Sequence, residues 1–184
     1  KFVTPIVTGL IRNPGIEALI DEWRVFAAKP TAITDQVISE SDVVLCEWCG
    51  PNAVYASKLK RPGQRLVVRL HRFELETDHW RQIEADQVDR FVTVGDHYRN
   101  LVLERTGWPA EKVVVISNQV DDAQLRRQKL PNARYNIGML GASSSRKRLD
   151  LAFYLIEQLH RQDPRFRLHV KTTMPQEEKW VWDD

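Results

Sequence analysis

Short β-branched runs alternate along this chain with stretches whose apolar residues recur at helical spacing. That alternation predicts parallel α/β units. The runs that read as strands are residues 43–46, 66–70, 91–94, 113–116, 136–140 and 166–170. Most are nearly continuous apolar runs, the pattern of strands covered on both faces. Four stretches read as helices. Ile16, Leu19, Ile20, Trp23 and Phe26 follow i, i+3, i+4, i+7 spacing, with Asn13 placed as N-cap and Pro14 in the first turn. Residues 77–89 carry Trp80, Ile83 and Val88 on one side. Asp96 is placed to cap a helix bearing Tyr98, Leu101 and Val102, which Thr106-Gly107 would end. Residues 148–161, with Leu149, Ala152, Leu155, Ile156 and Leu159, form the most regular helical pattern.

Gly50-Pro51 and Pro62-Gly63 punctuate the first half. Residues 121–135, rich in Arg, Gln and Asn, read as a connection between two α/β bodies. The expected organisation is a first domain over residues 1–120, the connection over 121–135, and a second domain from 136 to 184. The last segment suffices for one βαβ unit of ~30 residues and a tail, so the second body is expected to be incomplete. The sequence opens on Lys1 without a signal-peptide pattern, and Trp180, Trp182 and Asp183-Asp184 give no recognisable stop. The reading is a piece of a longer polypeptide.

Composition narrows the class. Hydrophobic residues are 42% and charged residues 28% of 184, with mean hydropathy −0.43; this is too apolar for intrinsic disorder. No apolar stretch approaches the ~18 residues of a membrane-spanning helix. Lys and Arg number 27 against 25 Asp and Glu, a net of +2. A protein holding nucleic acid by bulk charge carries a larger surplus. The basic residues Arg126, Arg127, Lys129 and Arg134, with Arg146, Lys147 and Arg148, lack interleaved aromatics, so no nucleic-acid partner is expected. Two Cys residues, three apart, cannot staple a secreted mini-domain.

The segment Ile137-Gly138-Met139-Leu140-Gly141-Ala142-Ser143-Ser144-Ser145-Arg146-Lys147-Arg148 carries the most chemistry. A strand ends in Gly and three Ser, and a helix opens. Open parallel sheets bind ligands at the carboxyl ends of their strands, and helix N-termini attract anions. Three cations there oppose the helix dipole unless an anion sits among them, so Arg146 and Lys147 point to a phosphate group. His71 closes a second strand, where it can donate, accept or relay a proton, and Glu74 three residues on is placed to orient it. Glu47 ends another strand and is placed to face a ligand. Asn118 and Asp121 close a fourth, where turn chemistry accounts for them. Cys46 and Cys49 lack the second ligand pair of a zinc site and sit at a strand end rather than a helix start; two reduced thiols of a cytosolic protein are expected.

Four segments in this order resemble the retaining GT-B glycosyltransferases around glycosyltransferase family 4. They are Val-Arg-Leu-His-Arg-Phe-Glu (68–74), Asp-Arg-Phe-Val-Thr-Val-Gly-Asp-His-Tyr-Arg (89–99), Lys-Val-Val-Val-Ile-Ser-Asn-Gln-Val-Asp (112–121), and Ile-Gly-Met-Leu-Gly with Arg-Lys-Arg-Leu-Asp-Leu-Ala (137–152). The third is similar to the family's V-I-P-N-G-V-D strand, and the fourth to its G-R-L…K-G…L donor loop. The resemblance implies a GT-B type fold, with a Rossmann-like acceptor-side domain followed by the first βαβ unit of a nucleotide-sugar-binding domain. It implies sugar transfer, without metal or other cofactor, from a nucleotide-diphosphate sugar to a glycan or lipid-linked acceptor. Lys147 falls on the family's diphosphate-contacting lysine, with Arg146, Gly141, Ser143, Ser144 and Ser145 around it. His71 falls on its sugar-pocket histidine, with Glu74 and Glu47 near the transferred sugar or acceptor. A cytoplasmic location follows by the same resemblance, with peripheral membrane contact left open and no oligomeric state implied.

Several positions depart from the family pattern. Ala142 stands where the family has a donor-loop arginine, and Arg148 follows the lysine in place of Gly. Lys171-Thr172-Thr173 stands where Gly is usual after Val170. The family's glycine-rich first loop is not recognisable near Lys1 to Leu10, and its donor-gripping glutamate pair would fall after Asp184. The fragment alone is therefore expected to be inactive. These departures also admit a non-catalytic carbohydrate-binding or interaction module. A nucleotide-sugar epimerase fails on its Tyr-x-x-x-Lys pair, since Leu59 follows Tyr55 and Val102 follows Tyr98.

Overall fold

In the computed structural model, residues 3–23, 29–120, 122–142 and 144–172 are described. The chain divides into two compact units, Lys1–Val120 and Asp121–Asp184. Unit 1 runs α1 (Thr4–Arg12), α2 (Ala32–Glu40), β1 (Val43–Glu47), α3 (Pro51–Leu59), β2 (Arg65–Leu70), a 3-10 turn (Phe73–Glu76), α4 (His79–Gln82), a second 3-10 turn (Ala85–Gln87), β3 (Arg90–Thr93), α5 (Asp96–Thr106) and β4 (Val113–Val115). Its four strands are parallel and lie in the order β1-β2-β3-β4. Unit 2 holds α6 (Asp122–Leu125), a 3-10 turn (Ala133–Tyr135), β5 (Asn136–Leu140), a 3-10 turn (Ser145–Lys147), α7 (Leu149–Gln162) and β6 (Arg167–Lys171). β5 and β6 pair in parallel. Among the described residues no helix is long and apolar enough to cross a membrane.

All six expected strands form, within a residue or two of their expected ends. The expectation that most are covered on both faces holds for β2 and β3 alone. On β1, Val43 and Leu45 are 57% and 39% exposed, and on β5 Leu140 is 77% exposed. β1 lies at the edge of its sheet and β5 in a two-stranded one, so fewer elements are available to cover them. The core of unit 1 centres on Leu66, Val68, Leu70, Phe91, Val102 and Val113, all essentially inaccessible. Phe91 stacks on Trp108, ring centroids 3.7 Å apart. α5 ends where expected: Gly107 takes φ 66°, and its N–H returns to Leu103 O. Gly95 is the N-cap, and Asp96 lies in the first turn rather than capping.

Two helix expectations fail for visible reasons. The first helix is Thr4–Arg12, not one started by Asn13. Asn13 is its C-cap, and its side chain accepts the Gly15 N–H at 3.0 Å, an Asx turn that spends the cap. Residues 16–23 are not helical. Asp21 holds this segment against α2, accepting from Thr34 Oγ1 at 2.7 Å and from Trp23 Nε1 at 2.6 Å. Phe26 lies outside the described residues. α2 itself went unpredicted, although Thr31 and Thr34 form a reciprocal capping box at its start. The expected helix over 77–89 is instead α4 and a 3-10 turn, with Ile83 extended between them. Ile83 and Val88 still reach the core, because Ser57 Oγ accepts the Glu84 N–H at 3.1 Å and fixes the bend. Within the expected connection lie α6 and a 3-10 turn.

Asp89 ties the amino end of β2 to β3. Its Oδ2 accepts the Leu66 N–H at 2.8 Å, its Oδ1 accepts from Arg65 Nη1 at 2.7 Å, and Lys60 Nζ lies 2.8 Å away. Burial pushes this carboxyl up, but the bonds from Lys60, Leu66 and Arg65 outweigh it and hold the group well below the usual carboxylate range. A lowered native pKa gives stability that is full above the unfolded value of about 3.9 and lost as pH falls below it. Asp89→Asn is expected to lower the unfolding free energy at neutral pH by about 1–3 kcal/mol. In urea titrations the gap between variant and wild type should close below about pH 4.

Candidate functional site

The parallel register brings Glu47 at the end of β1 beside Arg69 of β2. Arg69 is an ionic residue within the apolar run 66–70 of β2 and is only 4% exposed. Its Nη1 donates to both Glu47 carboxylate oxygens, at 3.1 and 3.0 Å. Its Nη2 donates to Asn118 Oδ1, in the segment that follows β4. One guanidinium thus joins the two outer strands' exits, and its desolvation is offset by charge-assisted bonds.

Past β2 the chain turns into the Phe73–Glu76 3-10 segment, which carries Glu74 back under His71. Glu74 is fully buried, and its carboxylate accepts the His71 N–H at 3.0 and 3.1 Å and the Cys49 N–H at 3.4 Å. Backbone N–H groups meeting a carboxylate compensate its burial. The imidazole of His71 lies between two carboxylates. Nδ1 is 3.8 Å from Glu74 Oε1, and Nε2 is 3.7 Å from Glu47 Oε1. Glu74, wholly inaccessible, orients the loop; Glu47 and His71, with side chains 12% and 11% exposed, stand nearer the surface.

Trp48 covers this group. Its ring centroid is 4.2 Å from that of His71 and 5.2 Å from that of Phe73. It sits at φ 76°, in the left-handed region, which costs a bulky side chain about 1–3 kcal/mol. Strain of this kind concentrates where a side chain must be aimed for a task. The thiols do not take part. Both are free and buried; burial, with Asp21 adding to it, pushes Cys46 up to about 12, and burial, Glu74 and Cys46 push Cys49 higher still. Neither is a thiolate at neutral pH. Among the described residues no cluster of three or more His, Cys, Asp or Glu is arranged to hold a metal.

In unit 2, the loop after β5 is shaped by Gly141 at φ 77°. The Gly141 N–H donates to Lys171 O at 2.8 Å, and the Ala142 N–H donates to Thr172 Oγ1 at 2.9 Å. Those two amides are therefore spent on β6 and its end. Lys147 crosses above Gly141, its Cε 3.8 Å from where a Cβ would stand. Lys147 and Arg146 are both exposed, as is Ser145, while Ser144 is half-buried. Ser143 lies outside the described residues.

The helix start differs from the expectation. A 3-10 turn over Ser145–Lys147 and Arg148 at φ 55° intervene before α7. Arg148 is not a spare cation, because its guanidinium grips the Asp150 carboxylate through Nε at 3.0 and 3.1 Å and through Nη2 at 2.7 Å. The Asp150 carboxyl is held below its usual range by Arg148 first, then by the N–H groups of Leu151 and Asp150. The chain thus brings its own anion to the α7 N-terminus, where the helix dipole favours one.

The structure brings together Glu47, His71 and Glu74, three residues that sequence reasoning singled out; it adds Arg69 and Trp48, which that reasoning missed, and Asn118, which it assigned to turn chemistry. Arg69 had a signal, an ionic residue inside an apolar strand run. Trp48 had none, since its role follows from a positive φ. These elements define an α/β protein with a four-stranded parallel, Rossmann-like sheet and a buried ionic cluster at that sheet's carboxyl edge. No family model matches the chain, and no curated protein matches it.

Arg69→Leu leaves Glu47 as a half-buried carboxylate without its cation and is expected to cost about 3 kcal/mol. Adding Glu47→Gln should recover a large part of that loss. A double-mutant cycle in urea, with coupling well above the ~0.5 kcal/mol of independent sites, checks the pair.

Proposed function

We propose that this chain is part of a retaining, metal-independent glycosyltransferase that moves a sugar from a nucleotide-diphosphate donor to a glycan, lipid or cell-envelope acceptor. The observation that most supports the reading is the ionic cluster of Glu47, Arg69, His71 and Glu74 at the carboxyl edge of a parallel sheet. Ligands of such sheets bind at that edge, and buried ionisable groups gathered in one place mark functional sites. In this reading His71 and Glu47 face the transferred sugar or its acceptor, and Glu74 holds the His71 loop in place. In unit 2, Lys147 and Arg146 neutralise the leaving diphosphate, the electrostatic role that dominates such transfers. Ser144 and Ser145 supply hydroxyl donors, and Gly141, at φ 77°, shapes the loop that Lys147 crosses.

A second reading, a non-catalytic carbohydrate-binding or interaction module, is favoured by two features of the same loop. Ala142 is buried at the position of the family's arginine, and Asp150 already occupies the α7 N-terminus. Amide NMR titration of the chain with UDP, GDP and inorganic pyrophosphate separates the readings. The transfer reading expects the Gly141, Ala142 and Lys147 amides to shift. It also expects Lys147→Ala to weaken binding about tenfold or more, since one charge-assisted contact is worth ~1.5–3 kcal/mol. If that loop is silent to all three ligands, the transfer reading is overturned and the module reading stands.

A further inference from the structure

We propose that the β1–β2 edge of unit 1 holds a neutral pyranose ring of a glycan, with Trp48 as its platform. As an acceptor assignment this rests on the transfer reading; as a saccharide site it stands on the geometry of unit 1. Trp48 is half-buried, held in a left-handed backbone conformation, and set against His71 and Phe73 with the Glu47–Arg69 pair behind it. An indole presents a broad apolar face with negative π density. The C–H face of a pyranose is apolar and weakly positive, so the two match. Sugar hydroxyls both donate and accept, and the partly exposed carboxylate of Glu47 offers them acceptor oxygens. A small apolar surface with a few convergent polar groups is the usual make-up of a ligand site.

Charge selects against a phosphorylated ligand. The cluster holds two carboxylates and one guanidinium. That guanidinium is already committed to Glu47 and Asn118. A phosphate entering here meets two carboxylates and a guanidinium whose charge is already paired with Glu47, so its desolvation is poorly compensated. Arg72, exposed and next to His71 in sequence, is the cation that could reverse this preference, and the test therefore includes phosphorylated sugars.

The test follows the Trp48 indole N–H resonance of the chain during titration with maltose, cellobiose and lactose, and in parallel with glucose 1-phosphate and glucose 6-phosphate. At least one neutral disaccharide should shift it, more tightly than either phosphosugar. Trp48→Gly suits a positive φ, so thermal unfolding should show a folded variant, yet its disaccharide affinity should fall about tenfold or more, and Trp48→Phe should restore part of it. Preference for the phosphosugars, or disaccharide binding unchanged in Trp48→Gly, overturns the inference. So does a Trp48 resonance silent to every disaccharide. A silent Trp48 beside a Gly141–Lys147 loop that answers UDP removes this subsite and spares the transfer reading. A responsive Trp48 beside a silent loop does the reverse.

Discussion

The guanidinium of Arg69 sets the terms for the carboxyl edge of unit 1. A charge placed in the middle of a buried parallel sheet must find partners on its neighbours or destabilise the fold by several kcal/mol. It finds Glu47 directly across the β1–β2 ladder and Asn118 beyond β4. Because the register fixes Arg69, it also fixes the Glu47 carboxylate, and with it the spacing to His71 Nε2. Glu74 does the equivalent work from below, through the backbone of His71 and Cys49 rather than through side chains. The imidazole is thus positioned from two sides by groups that cannot move without leaving a charge unmet.

How much of this was legible in the sequence depended on whether local pattern or distant partners decided the outcome. The strands were legible because their β-branched runs are bounded by turn residues. α5 and α7 were legible because period and terminus agreed, most plainly at Gly107. The segment after Asn13 misled because its apolar residues do follow a helical period, while the Asx turn at Gly15 and the distant bonds of Asp21 hold it otherwise. Propensity and period are weak where a tertiary hydrogen bond competes with them. The interrupted helix over 77–89 has the same cause, a Ser57 hydroxyl 27 positions away from Glu84.

The site divided along the same line. His71 and Glu74 could be paired from sequence because three residues separate them, within reach of a single turn. Glu47 could be placed because strand ends share an edge. The link between Glu47 and Arg69 required the register, which one sequence does not contain. Trp48 required a backbone angle that nothing about a Trp in a Glu-Trp-Cys-Gly stretch announces.

The loop of unit 2 shows how a sound physical premise can change its conclusion once partners are known. Cations beside a helix N-terminus do call for an anion, and the chain provides one in Asp150, bridged by Arg148 and seated on the first N–H groups of α7. The dipole of α7 is therefore largely satisfied from within, and it cannot also be the main attraction for a ligand. The attraction that remains comes from Arg146 and Lys147, exposed and without ion pairs among the described residues, on a loop turned by Gly141 at φ 77°. A diphosphate at this corner would then be held by side-chain charge on a glycine-shaped loop rather than by a helix end. Binding of that kind is screened more strongly by salt, and it depends more on one lysine than a helix-terminus site would.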